Sequence, residues 1–368
     1  MHTAPLSHKR SSKQLWVAGA AVCVSIILIV GAGYLIVTGK TRRTNEPAVI
    51  IPTVTNVGIS TTTTALVPRA LDGVMVSSSV ANLRPWAFTI DNQVDARPSS
   101  GLDRASVVFE SPVEGGITRF LAIFDPKTAS DVKIGAIRSA RPYFVDWATA
   151  WRAVFGHVGG SPEALDKLAR TPSSTVLDLN EMVVGAPTFW RDQNRVSPHQ
   201  VFTTPARFTK ALGDVASSTV SFTSWRYTSD AVPTSTAAVG GFRVTYGGSY
   251  TVRWTYDGAK NAYRRIQAVK ANSDTPIYAT NVVVIKTDAR ILDEKGRLSL
   301  RTTSGGEAVL YRDGKKYIGR WSRPAGQAIS FVGTDGNDLE LRAGSTWIEV
   351  TTDDRVFAGL DGSGASMT

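Results

Sequence analysis

The stretch FESPVEGGITRF, Phe109–Phe120, lies between two apolar runs, and its reading decides how the chain is built. The run before it, ASVVFES, and the run after it, TRFLAIF, are short and rich in β-branched and aromatic residues, as strands are. Gly115 and Gly116 supply a turn between them, so the stretch reads as a hairpin carrying Glu110, Glu114 and Arg119. Two chemistries compete for those side chains. In one, the glutamates act as acid and base on a glycosidic bond, which needs carboxyl groups about 5–5.5 Å apart for retention or about 6.5–9.5 Å for inversion. In the other, a glutamate pairs with Arg119 across the turn. The path through Pro112 and two glycines is too irregular for sequence spacing to choose a separation.

Outward from this hairpin, WAFTID and KIGAIRS read as further strands, and PYFVDWATAWRA has helical character. VFGHVGG reads as a buried strand ending in glycines. SPEALDKLAR then opens as a helix, with Ser161 at the N-cap and Pro162 at the first helical position. TPARFTKALGDV repeats that signature with Thr204 and Pro205. Strands interleaved with helices over residues 83–215 predict an α/β or α+β domain. From Thr219 the pattern becomes strands and turns, with hairpin signals at Asp257-Gly258, Asp313-Gly314 and Asp335-Gly336. Residues 219–352 therefore read as a β-rich C-terminal domain, and 353–368 as a disordered tail.

The chain has 368 residues and a net charge of +10. Six of its 41 basic residues lie before residue 44, where there is no acid, leaving 35 basic against 31 acidic residues in the rest. The basicity flanks an apolar segment instead of lining a groove, so no nucleic-acid partner is expected. That segment, Leu15–Val37, is LWVAGAAVCVSIILIVGAGYLIV. It is uncharged and long enough to cross a hydrocarbon core of about 30 Å. It reads as a single uncleaved transmembrane helix after a cytoplasmic tail, 1–14, with the C-terminal domains extracytoplasmic. Residues 38–82, rich in Thr, Ser and Pro, read as a linker. Cys23, the sole cysteine, lies inside the apolar segment, so the exported part must be stabilised by an ordinary core.

Residues with functional chemistry concentrate in five clusters between Asp91 and His199. IDNQVDARPSSGL carries Asp91, Asn92 and Arg97; the opening stretch carries Glu110, Glu114 and Arg119; IRSARPYF carries Arg138, Ser139 and Arg141. GHVGGSPEAL carries His157 and Ser161, and WRDQNRVSPHQVF carries Arg191, Arg195 and His199. Taken together, these motifs resemble the YerB-like family of bacterial lipoproteins, over about Leu83 to Val350. The resemblance implies an exported, surface-tethered protein of two parts and brings no established reaction. The sequence departs from the family's pattern at its anchor, where a membrane helix is expected in place of the lipid-modified cysteine.

The arginines offer forked donors suited to carboxylate or phosphate. They are equally suited to internal pairing with Asp91, Glu110, Glu114, Asp146 and Asp192. Neither histidine has a second ligand at metal spacing, and Ser161 lacks a GxSxG elbow, so no metal, cofactor or triad is expected. Trp225, Trp254, Tyr256, Tyr263, Trp321 and Trp347 fit a core or cross-strand ladder better than a sugar platform. Three functions follow as expectations. The first is a cell-envelope protein binding an anionic polymer or cell-wall glycan in an Arg/Glu/His-lined cleft. The alternatives are a cell-wall-polymer hydrolase or transferase using paired carboxylates, and a non-catalytic protein partner.

Overall fold

Four strands, in WAFTID, VVFESP, TRFLAIF and TWIEVT, are buried at every position. Such strands must lie inside a sheet covered on both faces. The first three come from the first half of the sequence and the fourth from near its end. In the computed structural model they belong to one ten-stranded sheet.

Its strands from the first half are β1 (Trp86–Asp91), β2 (Val107–Pro112), β3 (Thr118–Phe124), β4 (Val154–His157) and β5 (Leu177–Asn180). A second, five-stranded sheet contains β6 (Gly241–Gly247), β7 (Tyr250–Asp257), β8 (Ala262–Gln267) and β9 (Ile277–Ala279). The large sheet resumes with β10 (Asn281–Lys286), β11 (Ser304–Arg312), β12 (Lys315–Arg323), β13 (Ser330–Gly333) and β14 (Thr346–Thr351). β15 (Val356–Gly359) closes the small sheet against β6. The order across the large sheet is β13-β12-β11-β10-β14-β2-β3-β1-β4-β5. β14 runs parallel to both β10 and β2, and so joins the two halves of the sequence.

One face of the large sheet is covered by helix α1 (Pro142–Ala150), whose Trp147 stacks on Phe109 at 4.6 Å between ring centres. Helices α2 (Pro162–Arg170), α3 (Glu181–Val184) and α4 (Pro205–Leu212) follow in sequence. Ser161 and Thr204 cap α2 and α4 by accepting from Ala164 N and Arg207 N, as their Ser-Pro and Thr-Pro signatures predict. The other face carries Phe208 of α4 and the small sheet, with Phe242 stacked on Tyr311 at 3.9 Å and Trp254 edge-on to Trp347 at 5.4 Å. Most of these aromatics pack in the core, the outcome that strand alternation favours.

The structure describes residues 65–232, 240–247, 250–267, 276–352 and 356–359, all within the compact unit Thr63–Thr368. The expected membrane span, 15–37, lies outside these residues, and no described helix is long and apolar enough to cross a membrane. Three expectations are refined. The first half is itself substantially β, because five of the strands in the large sheet come from it. The end of the expected linker is folded, with Leu66–Pro68 paired to Met75–Ser77 and Leu71 in the core. Part of the expected tail is β15.

Candidate functional site

Strands β1, β2, β4, β5, β10 and β14 point the same way, with β3 antiparallel between β1 and β2. Their carboxyl ends share one margin of the sheet, the place where sheets of this kind bind ligands. The sequence clusters meet that margin at several levels. Asp91 ends β1 with Asn92 next to it, Glu110 lies near the end of β2, and His157 ends β4. Arg119 opens β3 directly opposite Asp91.

Asp91, nearly inaccessible, organises the first group. Its Oδ2 lies 2.9 Å from Arg138 Nε and 2.7 Å from His199 Nδ1, and Gln93 N donates to its Oδ1. Arg119 is buried beside it and donates to the Ser139 carbonyl at 2.9 Å. Burial lowers the pKa of both guanidinium groups, and the Asp91 carboxylate opposes that shift. With Nδ1 committed to Asp91, His199 presents Nε2 to a groove also lined by Arg97, Val196 and Ser197.

Glu114 sits in the turn and holds Arg141 through both carboxylate oxygens, with Nε at 3.0 Å. Gly115 and Gly116 both adopt positive φ there, +78° and +71°, which only glycine takes at little cost. Arg297, from the second half of the sequence, stands 3.7 Å from Glu163 near this group.

Glu110 occupies a different environment, enclosed between the two sheets. Asn92 Nδ2 and Thr118 Oγ1 donate to its Oε1 at 3.0 and 2.8 Å, and Arg265 on β8 clamps it from the small sheet with Nη2 at 2.7 Å. Arg265 also lies over the rings of Phe120 and Trp347, about 5 Å from each centre. Glu349 stands beside Glu110 in register on β14 and is equally inaccessible. Trp254 Nε1 donates to its Oε1 at 2.7 Å, and the Tyr246 hydroxyl meets its Oε2. Burial, with Glu110 close by, pushes the Glu349 carboxyl up to about 8. The Tyr246 hydroxyl, which donates to Glu349 Oε2, also lies 3.2 Å from the Glu110 carbonyl, so it bridges the two acidic strands.

The remaining candidates are tied to backbone and surface groups. His157 is buried between Asp178 Oδ1 at 2.6 Å and the Gly159 carbonyl at 2.7 Å. Ser161 is the helix cap, and the amides of Gly159, Ser161 and Ala164 all have acceptors. Arg191 pairs with Glu181 at 2.8 Å, and Arg195 donates to the carbonyls of Ala96 and Pro98. Among the described residues no three His, Cys, Asp or Glu side chains gather as metal ligands.

Asn92, Arg97 and Phe120 line a cleft of about 200 Å³ with Arg264, Arg265 and Gln267 of β8. Arg265 commits Nε and Nη2 to Glu110 and Gln267 Oε1, which leaves Nη1 toward the cleft. Gln267 Nε2 is buried without an acceptor among the described residues. Sequence reasoning missed these β8 residues and Glu349. The available signal was an acid within an apolar strand, in TWIEVT as in VVFESP, which demands a distant partner.

Two family models match the chain: the N-terminal domain of a protein of unknown function (DUF3048) over residues 71–218, and its C-terminal domain over 242–348. A relative named "Putative lipoprotein YerB", from Bacillus subtilis (strain 168), is 30% identical over 292 residues, covering 77% of this chain and 86% of the relative. The crystal structure of YerB protein from Bacillus subtilis superposes with a TM-score of 0.68 at 28% identity, covering 78% of this chain and 98% of that one. The five polar clusters, the shared fold and both domain matches agree, and the chain belongs to the YerB-like family, whose two parts here build one continuous sheet.

Proposed function

We propose that this is an extracytoplasmic, membrane-tethered protein that binds an anionic ligand of the cell envelope in the Arg265 cleft. Its similarity to a relative named as a lipoprotein supports an exported, tethered protein, and the apolar segment Leu15–Val37 supports a helical tether. One observation carries the ligand reading. Arg265, whose Nη1 has no acceptor among the described residues, and Gln267, whose Nε2 is buried without one, both line the cleft from β8. Arg97 and Arg264 add positive charge to the lining, and Pro98, Ile266 and Ile277 give it an apolar part.

The matching ligand bears a carboxylate or phosphate on a small, partly apolar body, as a wall-polymer fragment does. Calorimetric titration of the purified chain with N-acetylmuramic acid and with glycerol phosphate tests this. Saturable binding of at least one is expected, weakened about tenfold by Gln267→Leu, which removes a single buried hydrogen bond to the ligand. Failure of both compounds to bind the native chain would overturn the reading.

A second reading, hydrolysis or group transfer on a wall polymer, rests on His199. Its imidazole is anchored through Nδ1 on Asp91 and open to a groove at Nε2, the arrangement of a general base oriented by a carboxylate. The pairing of Glu110 with Glu114 lends this reading no support, because Arg265 and Arg141 already engage them.

A further inference from the structure

The small sheet has an outer face of unusual composition. Phe242, Val244, Val252, Trp254 and Tyr263 point into the core, so strand alternation turns Arg243, Arg253 and Arg264 outward, and all three are exposed. Arg243 and Arg253 are direct cross-strand partners, and Arg264 stands one row further on, opposite Thr255. No carboxylate lies within ion-pair distance of any of the three among the described residues. Asp257, at the hairpin end of β7, is turned onto the amides of Ala259 and Lys260. Like charges directly opposite one another on neighbouring strands oppose folding, and no described residue offsets them here.

Arg264 connects this face to the cleft, because it belongs to the exposed row and also lines the cleft. We propose that Arg243, Arg253 and Arg264 form a track for a linear polymer with a phosphodiester in each repeat, one unit of which occupies the Arg265 cleft. The inference rests on the cleft reading and extends it from a small anion to a polymer. The track crosses three strands, about 10 Å at the usual strand spacing, and its guanidinium forks suit successive phosphates. Thr245, Thr251 and Thr255 stand among the arginines. Sequence-tolerant binding of single-stranded nucleic acid relies on successive aromatic platforms, whereas the described residues of this face set one aromatic beside the track, Tyr278, the cross-strand partner of Arg264.

The test compares glycerol phosphate with poly(glycerol phosphate) of about ten repeats on the full chain, the polymer binding about tenfold or more tightly if the track adds contacts to the cleft. Arg243→Ser with Arg253→Ser should abolish that advantage while leaving the monomer affinity unchanged and the melting temperature no lower than that of the native chain. Gln267→Leu should weaken both ligands. Equal affinity for monomer and polymer, or an unaffected double variant, would overturn the track and leave the cleft reading standing. Polymer binding that survives Gln267→Leu and needs the two arginines would overturn the cleft's part alone. Oligothymidylate of equal charge binding as tightly as the polymer would overturn the assigned polymer class.

Discussion

Glu110 and Glu114 belong to one hairpin, yet they occupy different media. Glu114 lies at the margin of the sheet, with about a quarter of its side chain open to solvent, and meets Arg141 from the neighbouring segment. Glu110 is sealed between two sheets and meets Arg265, which folds in from the other half of the sequence. In the marginal pair Arg141 is buried, but Glu114 sits where water can screen its charge if Arg141 is lost. The enclosed pair has no such alternative, so each partner becomes a condition for burying the other. Nearness in sequence says little about which regime an acid enters; the face of the strand it occupies decides.

The sharpest way to break this contrast is Arg265→Met. It leaves a carboxylate between the sheets without its cation, and urea denaturation should show a loss of about 3–5 kcal/mol. The pH dependence of stability distinguishes the regimes next. Glu349 titrates near 8 in the folded chain and near 4.5 when exposed, so between those values the native state binds more protons than the unfolded one. Stability contributed by this group is complete below about 4.5, falls as pH rises through that window, and has been lost above about 8. Glu349→Gln should flatten the profile and melt above the native chain at pH 9, as differential scanning calorimetry can measure. The smallest effect belongs to the margin: Arg141→Ala should cost about 1 kcal/mol and weaken further with salt in the native chain's pair.

Local signals in the sequence were dependable where the cause was local. Ser161-Pro162 and Thr204-Pro205 start helices as read, and Asp313-Gly314 makes its hairpin with both residues at positive φ. The hairpin around Gly115-Gly116 is likewise present, joining β2 to β3. The convergence of Asp91, Arg119, Arg138 and His199 was accessible only as a set of clusters at strand ends. Their grouping depends on strand order, which periodicity does not encode. Arg265 and Glu349 were out of reach for the same reason, amplified by distance. Each looks like an ordinary residue of an alternating strand until the small sheet is laid on the large one.

β14 has a consequence for how this protein comes into being. It occupies a central place between β10 and β2, although its residues, 346–351, are synthesised after every other strand of that sheet. Until β14 is made, VVFES in β2 lacks the neighbour it will finally pair with, and an unpaired apolar strand edge invites association with other chains. Assembly thus runs against the order of synthesis: a chain that stops before Thr346 has its sheet divided in two.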